Sequence, residues 1–544
     1  MAAALLALVL LAPWTTAAAQ RTATRPAAST PRSAAYDIRY HLAIGDPASH
    51  RYHVELTVGG VTGDTLRLQM PVWSPGRYAK MDFAKNVLGL AVTDDNGRAL
   101  QFDKELGSLW RVYPAGARAI HVRYDVFANT LSGTFSVLDS AHANFNGPSL
   151  FLYVVGHKPD PVRLTVDIPA GWHLINGAST QPDQREFTFP DYDHLIDTPT
   201  EVAPAFTVDS FRVDGRLYRV VVHHNGPEHG QRERFVRDVE RIVRAENTVI
   251  APPPLEMYTF LFNIGYDGRD GMEHLYSTQI MDRNVWSDTA QVLPGITSAA
   301  HEYFHTWNVK RIRPVALGPF DYTREQYQPS LWVAEGWTQY YGEMTLHRAG
   351  IISKDTLYAL LGRRIQYNSE LPARTEVSAR MSSFNAPFWD GAAQAMATDR
   401  DHAFISYYYK GEALAMLLDL SIRGRTANAR SLDDVLRTLK RHVWDDAPKA
   451  TYYLQGRGYT EQDVERAASE VAGTDMQPWF ERYVGGVEEL PWTETLALAG
   501  LRVRVTGEGK EKRYVLEEIP DATDAQRRVR DGWLTDTTGT TASP

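Results

Sequence analysis

Two histidines four residues apart, His301 and His305, with Glu302 beside the first, constrain this chain more than any other feature. On a helix, positions i and i+4 share a face, so both imidazoles can reach one ion while the glutamate stands next to it. An ion held this way with one open position can activate a water, for which Glu302 is the general base. The pattern demands a helix over His301–His305 and points to hydrolysis. It is short, and chance alone places it in roughly one of thirty chains of this length and composition, so the reading needs a third ligand.

Downstream, Ser330 follows Pro329 and opens an apolar, aromatic run that extends to Gly350. Ser330 reads as an N-cap and Gly350 as a stop, which predicts one buried helix between them. Glu335 falls in its second turn, where a carboxylate is costly to bury unless a cation meets it. An isolated glutamate on such a helix is more commonly a surface residue; with the histidine pair upstream, the metal-ligand reading is preferred. The chain has no cysteine, which excludes disulfides, Cys-ligated zinc and thiol catalysis.

At 544 residues the chain exceeds one compact core, and 43% apolar with 11% aromatic content can fill several. A formal net charge of −9 argues against a nucleic-acid partner, which would need a concentrated basic surface. Lys310, Arg311 and Arg313 form the only basic run beside a motif and read as a salt-bridged structural element. Residues 1–19 read as a signal peptide, an Ala- and Leu-rich run ending in small residues, and 20–35 as a flexible linker. The expected location is therefore periplasmic or secreted, with no membrane span in the mature chain.

From 36 to 224 the chain reads as a β domain. Tyr36–Leu42, Tyr52–Val58, Ala119–Val126 and Val162–Ile168 alternate, and Asp214-Gly215 marks a hairpin at its end. Glu233–Asn247 has helical spacing, Met257–Ile264 reads as a strand, and helices dominate afterwards. Ser431 opens one of these, and Thr460 with Asp463 a second that ends near Gly473. The domain from 225 to 488 is thus mainly α. Residues 489–544 hold two strand-like pieces, Leu501–Val505 and Arg513–Ile519, and then a polar tail.

Several blocks resemble the glycyl aminopeptidases, zinc metallopeptidases of the gluzincin type. They are Pro71–Val87 (PVWSPGRYAKMDFAKNV), Gly271–Ser277 (GMEHLYS), His301–Pro314 (HEYFHTWNVKRIRP), Leu331–Tyr341 (LWVAEGWTQYY) and Ser406–Asp419 (SYYYKGEALAMLLD). The spacing from His305 to Glu335 is longer than in the larger family of one-zinc aminopeptidases, which favours this branch. The resemblance implies an α+β multidomain protein with an N-terminal β-sheet domain, a thermolysin-like zinc catalytic domain, and a short, incomplete PDZ-like remnant at the C-terminus. It implies one Zn2+ held by His301, His305 and Glu335, peptide substrates, and a preference for small N-terminal residues such as glycine or alanine.

Two further site residues follow from it. Tyr408, in Tyr407-Tyr408-Tyr409-Lys410-Gly411, takes the tyrosine position of a Tyr-x-Lys-Gly pattern that donates to the transition-state oxyanion. Successive helical residues point about 100° apart, so at most one of these tyrosines faces an ion squarely. The other reading is a set of tyrosines packed into the core. Glu273 resembles the carboxylate that anchors the substrate's α-ammonium, although Asp270 stands where that pattern begins with glycine. His274 reads as a structural histidine, Asn308 and Trp307 as supporting groups. Two alternatives stay open: an endopeptidase with an open cleft, and a non-catalytic peptide-binding protein on the same fold.

Overall fold

The computed structural model describes residues 35–227, 229–390, 400–447 and 458–535. The expected signal peptide and all but the last residue of the linker lie outside them. The described residues from Tyr36 onward form one compact unit, built as an N-terminal multi-sheet β domain followed by a helical region.

The β domain contains three sheets. The largest runs Glu186–Phe189, Val162–Asp167, Asp37–Ile44, Arg51–Gly59, Ala119–Phe127, Val87–Asp94 in spatial order. The alternation in Asp37–Ile44 sends Ile38, Tyr40, Leu42 and Ile44 into the core and Asp37, Arg39 and His41 to solvent, as a half-buried sheet requires. Two four-stranded sheets complete the domain, and their apolar faces share one core that includes Tyr52, Trp73, Phe145 and Phe151.

Strand pairing crosses the boundary expected at His224. The hairpin Thr207–Val213 and Arg216–His224 turns at Asp214-Gly215, both at positive φ, as a type I′ turn demands. Its second strand then pairs in parallel with Met257–Ile264, in a five-stranded sheet completed by Ser277–Asp282 and the edge strand Arg269–Glu273. The hairpin thus belongs to the sheet that underlies the helices. Parallel pairing needs a crossover, and the helix Arg232–Val249 supplies it.

Helices from Leu331 onward position several of the candidate residues. The run expected as one helix from Ser330 to Gly350 is two, Leu331–Ala334 and Gly336–Arg348, joined at Glu335. Ser330 makes no side-chain cap, because its hydroxyl makes no bond to the helix's free N–H groups. Gly350 does end the run, at φ 66°. The helix Tyr407–Arg425 crosses this joint at Gly336 and Gly411, where a Cβ on Gly336 would lie 2.4 Å from Gly411 Cα and one on Gly411 2.3 Å from the Trp332 carbonyl oxygen. No other residue type permits that approach.

At the C-terminus, strands Leu501–Thr506 and Arg513–Glu518 pair antiparallel. Residues 524–535, expected within a polar tail, form a helix instead. Val529, Trp533 and Leu534 fall on one face and are buried, and Trp533 Nε1 donates to Tyr340 Oη at 2.7 Å. Leu501, Leu516 and Trp533 join the core of the helical region, so this segment is packed into it. No helix among the described residues is long and apolar enough to cross a membrane.

The crossing yields a test. Gly411→Ala should cost about 1–3 kcal/mol through overpacking, read as a lowered denaturation midpoint. An unchanged midpoint would show that the helices have room to separate.

Candidate active site

Asp288 caps the helix Thr289–Phe304 through its carboxylate, which accepts from the Ala290 and Gln291 amides. The last turn carries His301 and Glu302, and His305 is the C-cap residue. His301 Nε2 lies 3.1 Å from His305 Nε2, and Glu335 Oε2 lies 3.4 Å from each. Around a tetrahedral zinc with bonds of about 2.05 Å, neighbouring ligand atoms are about 3.3 Å apart. The three separations match one face of such a tetrahedron, and two imidazole nitrogens with a carboxylate oxygen are the donors zinc takes. The residues therefore fit the ion.

The His305 ring is held in place from behind. His305 Nδ1 lies 2.7 Å from the Asn308 carbonyl oxygen, so Nδ1–H donates there and Nε2 is the nitrogen turned toward His301 and Glu335. Asn308 Nδ2 donates to the carbonyl oxygen of Val333 at 2.9 Å and to Thr338 Oγ1 at 3.1 Å, which fastens the segment after the histidines to the joint that presents Glu335.

Glu335 and His305 are both almost wholly buried. Burial works against charge on His305, but the Glu335 carboxylate outweighs it and pushes the imidazole up to about 10. Burial likewise opposes ionisation of Glu335, and His305 overcomes this to hold the carboxyl well below the usual range. Glu302 is the opposite case. Burial pushes its carboxyl up, and the favourable pull of His305 is countered by Glu273, Glu335 and Asp270. Among the described residues, carboxylate oxygens of Glu273 and Glu302 lie within 4.8 Å of each other and of a His305 nitrogen.

The β domain reaches this centre through Arg77 and Tyr78. Tyr78 Oη donates to Glu335 Oε1 at 2.5 Å, so the carboxylate has one oxygen toward the histidines and one bound by a tyrosine of the other domain. Arg77 Nη2 donates to Asp270 Oδ1 at 2.6 Å, and the Gly133 amide to Asp270 Oδ2 at 2.9 Å. Asp270 thereby ties two β-domain loops to the edge strand that carries Glu273. On the same strand, a Cβ at Gly271 would lie 2.2 Å from Glu302 Oε1, so the backbone is pressed against the Glu302 carboxylate.

The three tyrosines diverge as helical spacing requires. The Tyr408 ring lies 6.0 Å from the His301 ring, Tyr407 packs edge-on against Tyr78 at 6.1 Å, and Tyr409 turns away under the Arg364 guanidinium. Burial raises the Tyr408 phenol well above its ordinary range, which keeps it a hydrogen-bond donor at neutral pH. His274 Nδ1 lies 3.0 Å from Asp197 Oδ1, where Lys310 also pairs at 2.9 Å. Trp307 Nε1 donates to the Ala251 carbonyl oxygen.

Residues 39–204 match the Peptidase M61 N-terminal domain and residues 295–414 match M61 glycyl aminopeptidase, together more than half of the chain. The chain belongs to the M61 glycyl aminopeptidase family. It is also similar to a solved aminopeptidase N family protein from Idiomarina loihiensis, at 26% identity over 87% of this chain and 80% of that one, with a TM-score of 0.79. An M1 zinc metallopeptidase from Deinococcus radiodurans, solved with a Tyr-Ser-Ala substrate, is more distant: 13% identity over 84% of this chain and 96% of that one, TM-score 0.49. No curated protein shows a significant match.

As an M61 peptidase, the chain carries at its centre two residues to which sequence reasoning gave no role, Tyr78 and Gly271. Tyr78 lies in the Pro71–Val87 block, but nothing in a β-domain loop announces a contact 257 residues away. Gly271 is visible only through what a side chain there would strike. The Tyr78 contact is testable: Tyr78→Phe should weaken zinc affinity by about 10–100-fold while the protein stays folded by circular dichroism. Unaltered affinity would mean that the Tyr78 hydroxyl does not hold Glu335.

Proposed function

We propose that this metallopeptidase is a zinc-dependent aminopeptidase that removes small N-terminal residues, glycine and alanine among them, from peptides, using a thermolysin-like catalytic domain. The observation that carries this is the convergence of His301 Nε2, His305 Nε2 and Glu335 Oε2 at tetrahedral separations, with Glu302 and Glu273 against the same spot. A bound zinc would lower the pKa of its water to about 7 and polarise the scissile carbonyl.

The protein's own groups do the rest. Glu302, whose carboxyl is pushed up by burial and the neighbouring carboxylates, takes the proton of the attacking water and passes it to the leaving amine. Tyr408, kept protonated by burial, donates to the oxyanion that develops on the carbonyl. Glu273 pairs with the α-ammonium of the first residue, and a blocked amine leaves it without a partner. Beside Glu273, Trp73, Pro75 and Gly76 of the β domain and Leu317 and Phe320 wall a cavity, which limits what the chain can accept around the first residue. The preference for glycine draws support from the family alone. Export through the segment 1–19 completes the proposal, with a periplasmic or secreted enzyme as its outcome.

The test is hydrolysis of glycyl and N-acetylglycyl chromogenic amides, with and without a zinc chelator. Chelator-sensitive turnover of the free amine only is expected; equal turnover of both would favour an endopeptidase. Glu302→Gln should lower kcat at least about 100-fold with zinc content unchanged, and full activity in that variant would remove Glu302 as the base.

A further inference from the structure

A second cluster of ligand-type side chains lies where the β domain meets the five-stranded sheet. His142 stands immediately before the strand Ala143–Phe145, and Glu201 lies on Thr200–Ala203, which pairs with it in a β-domain sheet. His223 is on Arg216–His224 of the five-stranded sheet, and Tyr266 follows Met257–Ile264 of the same sheet. One ring nitrogen of each histidine and one carboxylate oxygen of Glu201 lie within 4.8 Å of one another. Tyr266 Oη is 3.0 Å from His223 Nδ1 and 3.3 Å from His142 Nδ1, and His223 Nδ1 is 3.7 Å from Glu201 Oε1. The imidazole rings stack at 4.7 Å and 18°.

These groups are poorly provided for by the protein. His142 is fully buried and Glu201 is 1% exposed, yet Glu201 Oε1 makes no well-formed hydrogen bond, with the Asn263 side chain and His223 Nδ1 beside it. Glu201 Oε2 accepts from Asn144 Nδ2 at 2.9 Å, and Asp139 Oδ1 lies 3.6 Å from His142 Nδ1. No lysine or arginine among the described residues forms an ion pair with Glu201. A buried carboxylate beside two imidazoles, with an unmet oxygen and no cationic side chain, is costly unless a cation is supplied.

We propose that His142, Glu201 and His223 hold a second divalent transition-metal ion, zinc by donor type, with the Tyr266 hydroxyl at the fourth corner. The separations of 3.0, 3.3 and 3.7 Å bracket the ligand–ligand distance of about 3.3 Å in a tetrahedral zinc site. All four corners come from the protein, so the site is closed to substrate and its role is structural. It joins a β-domain sheet to the five-stranded sheet where the apolar contact between them is small, formed by Ile175, Val221 and Leu261 with Phe206 at its edge. The clamp also reaches the catalytic edge: Asn144 Oδ1 accepts from Gln279 Nε2 at 2.8 Å, on the strand that pairs with Arg269–Glu273.

The test is metal stoichiometry by mass spectrometry, on intact protein equilibrated with zinc and freed of excess by gel filtration. Two equivalents are expected for the unaltered protein, one for His305→Ala, and one for His223→Ala. One equivalent in the unaltered protein with none in His305→Ala would overturn the proposal, as would two in a folded His223→Ala. If His223→Ala does not fold, the first two measurements decide, because neither depends on it. The count is independent of catalysis, so failure of the peptidase reading would leave it standing.

Discussion

Glu335 is a carboxylate in the interior of the protein, and the arrangement around it answers that one electrostatic fact. One oxygen faces two imidazole nitrogens and the other accepts from Tyr78. Such a group is stabilised only where every lone pair meets a donor or an ion. Reaching it requires the helix to break at Glu335, a second helix to cross at Gly336 and Gly411, and Asn308 to fasten the histidine segment to the same joint. The crossing also fixes Tyr407 and Tyr408 one turn before Gly411, so the chain that makes room for Glu335 brings the tyrosines to it.

The β domain therefore completes the centre. Tyr78 touches the Glu335 carboxylate, and Arg77 pairs with Asp270 three residues from Glu273. A partly buried ion pair of this kind adds little net stability, but it fixes the register between the domain and the edge strand. Further contacts hold the same junction: Trp73 Nε1 donates to the Asp321 carbonyl oxygen at 2.6 Å, Lys158 Nζ donates to that of Phe320, and Tyr322 is buried in the β-domain core. The geometry of the cluster around Glu335 therefore depends on the joint between the two parts.

What was legible in the sequence was local. Alternation marked Asp37–Ile44, a two-residue signal fixed the turn at Asp214-Gly215, and Thr460 and Ser431 form the capping boxes their spacing announces. His301, Glu302 and His305 were legible because they occupy little more than one helical turn. Glu335 could be joined to them because a carboxylate in an apolar run needs a cation. Long-range pairing left no such mark. The hairpin at Asp214 gives no sign of which sheet it joins, and the short helix Asp524–Thr535 is mostly polar, its burial decided by Val529, Trp533 and Leu534. His142, Glu201 and His223 come from three separate strand regions, so their proximity has no spacing to read.

The central claim is that a metal ion occupies the point where His301, His305 and Glu335 converge. Anomalous diffraction at the zinc edge from crystals of the zinc-loaded protein tests it most directly. A bound zinc gives a peak about 2.0–2.2 Å from both Nε2 atoms and from Glu335 Oε2. No peak there, with Glu335 instead paired to a protonated His305, would contradict it.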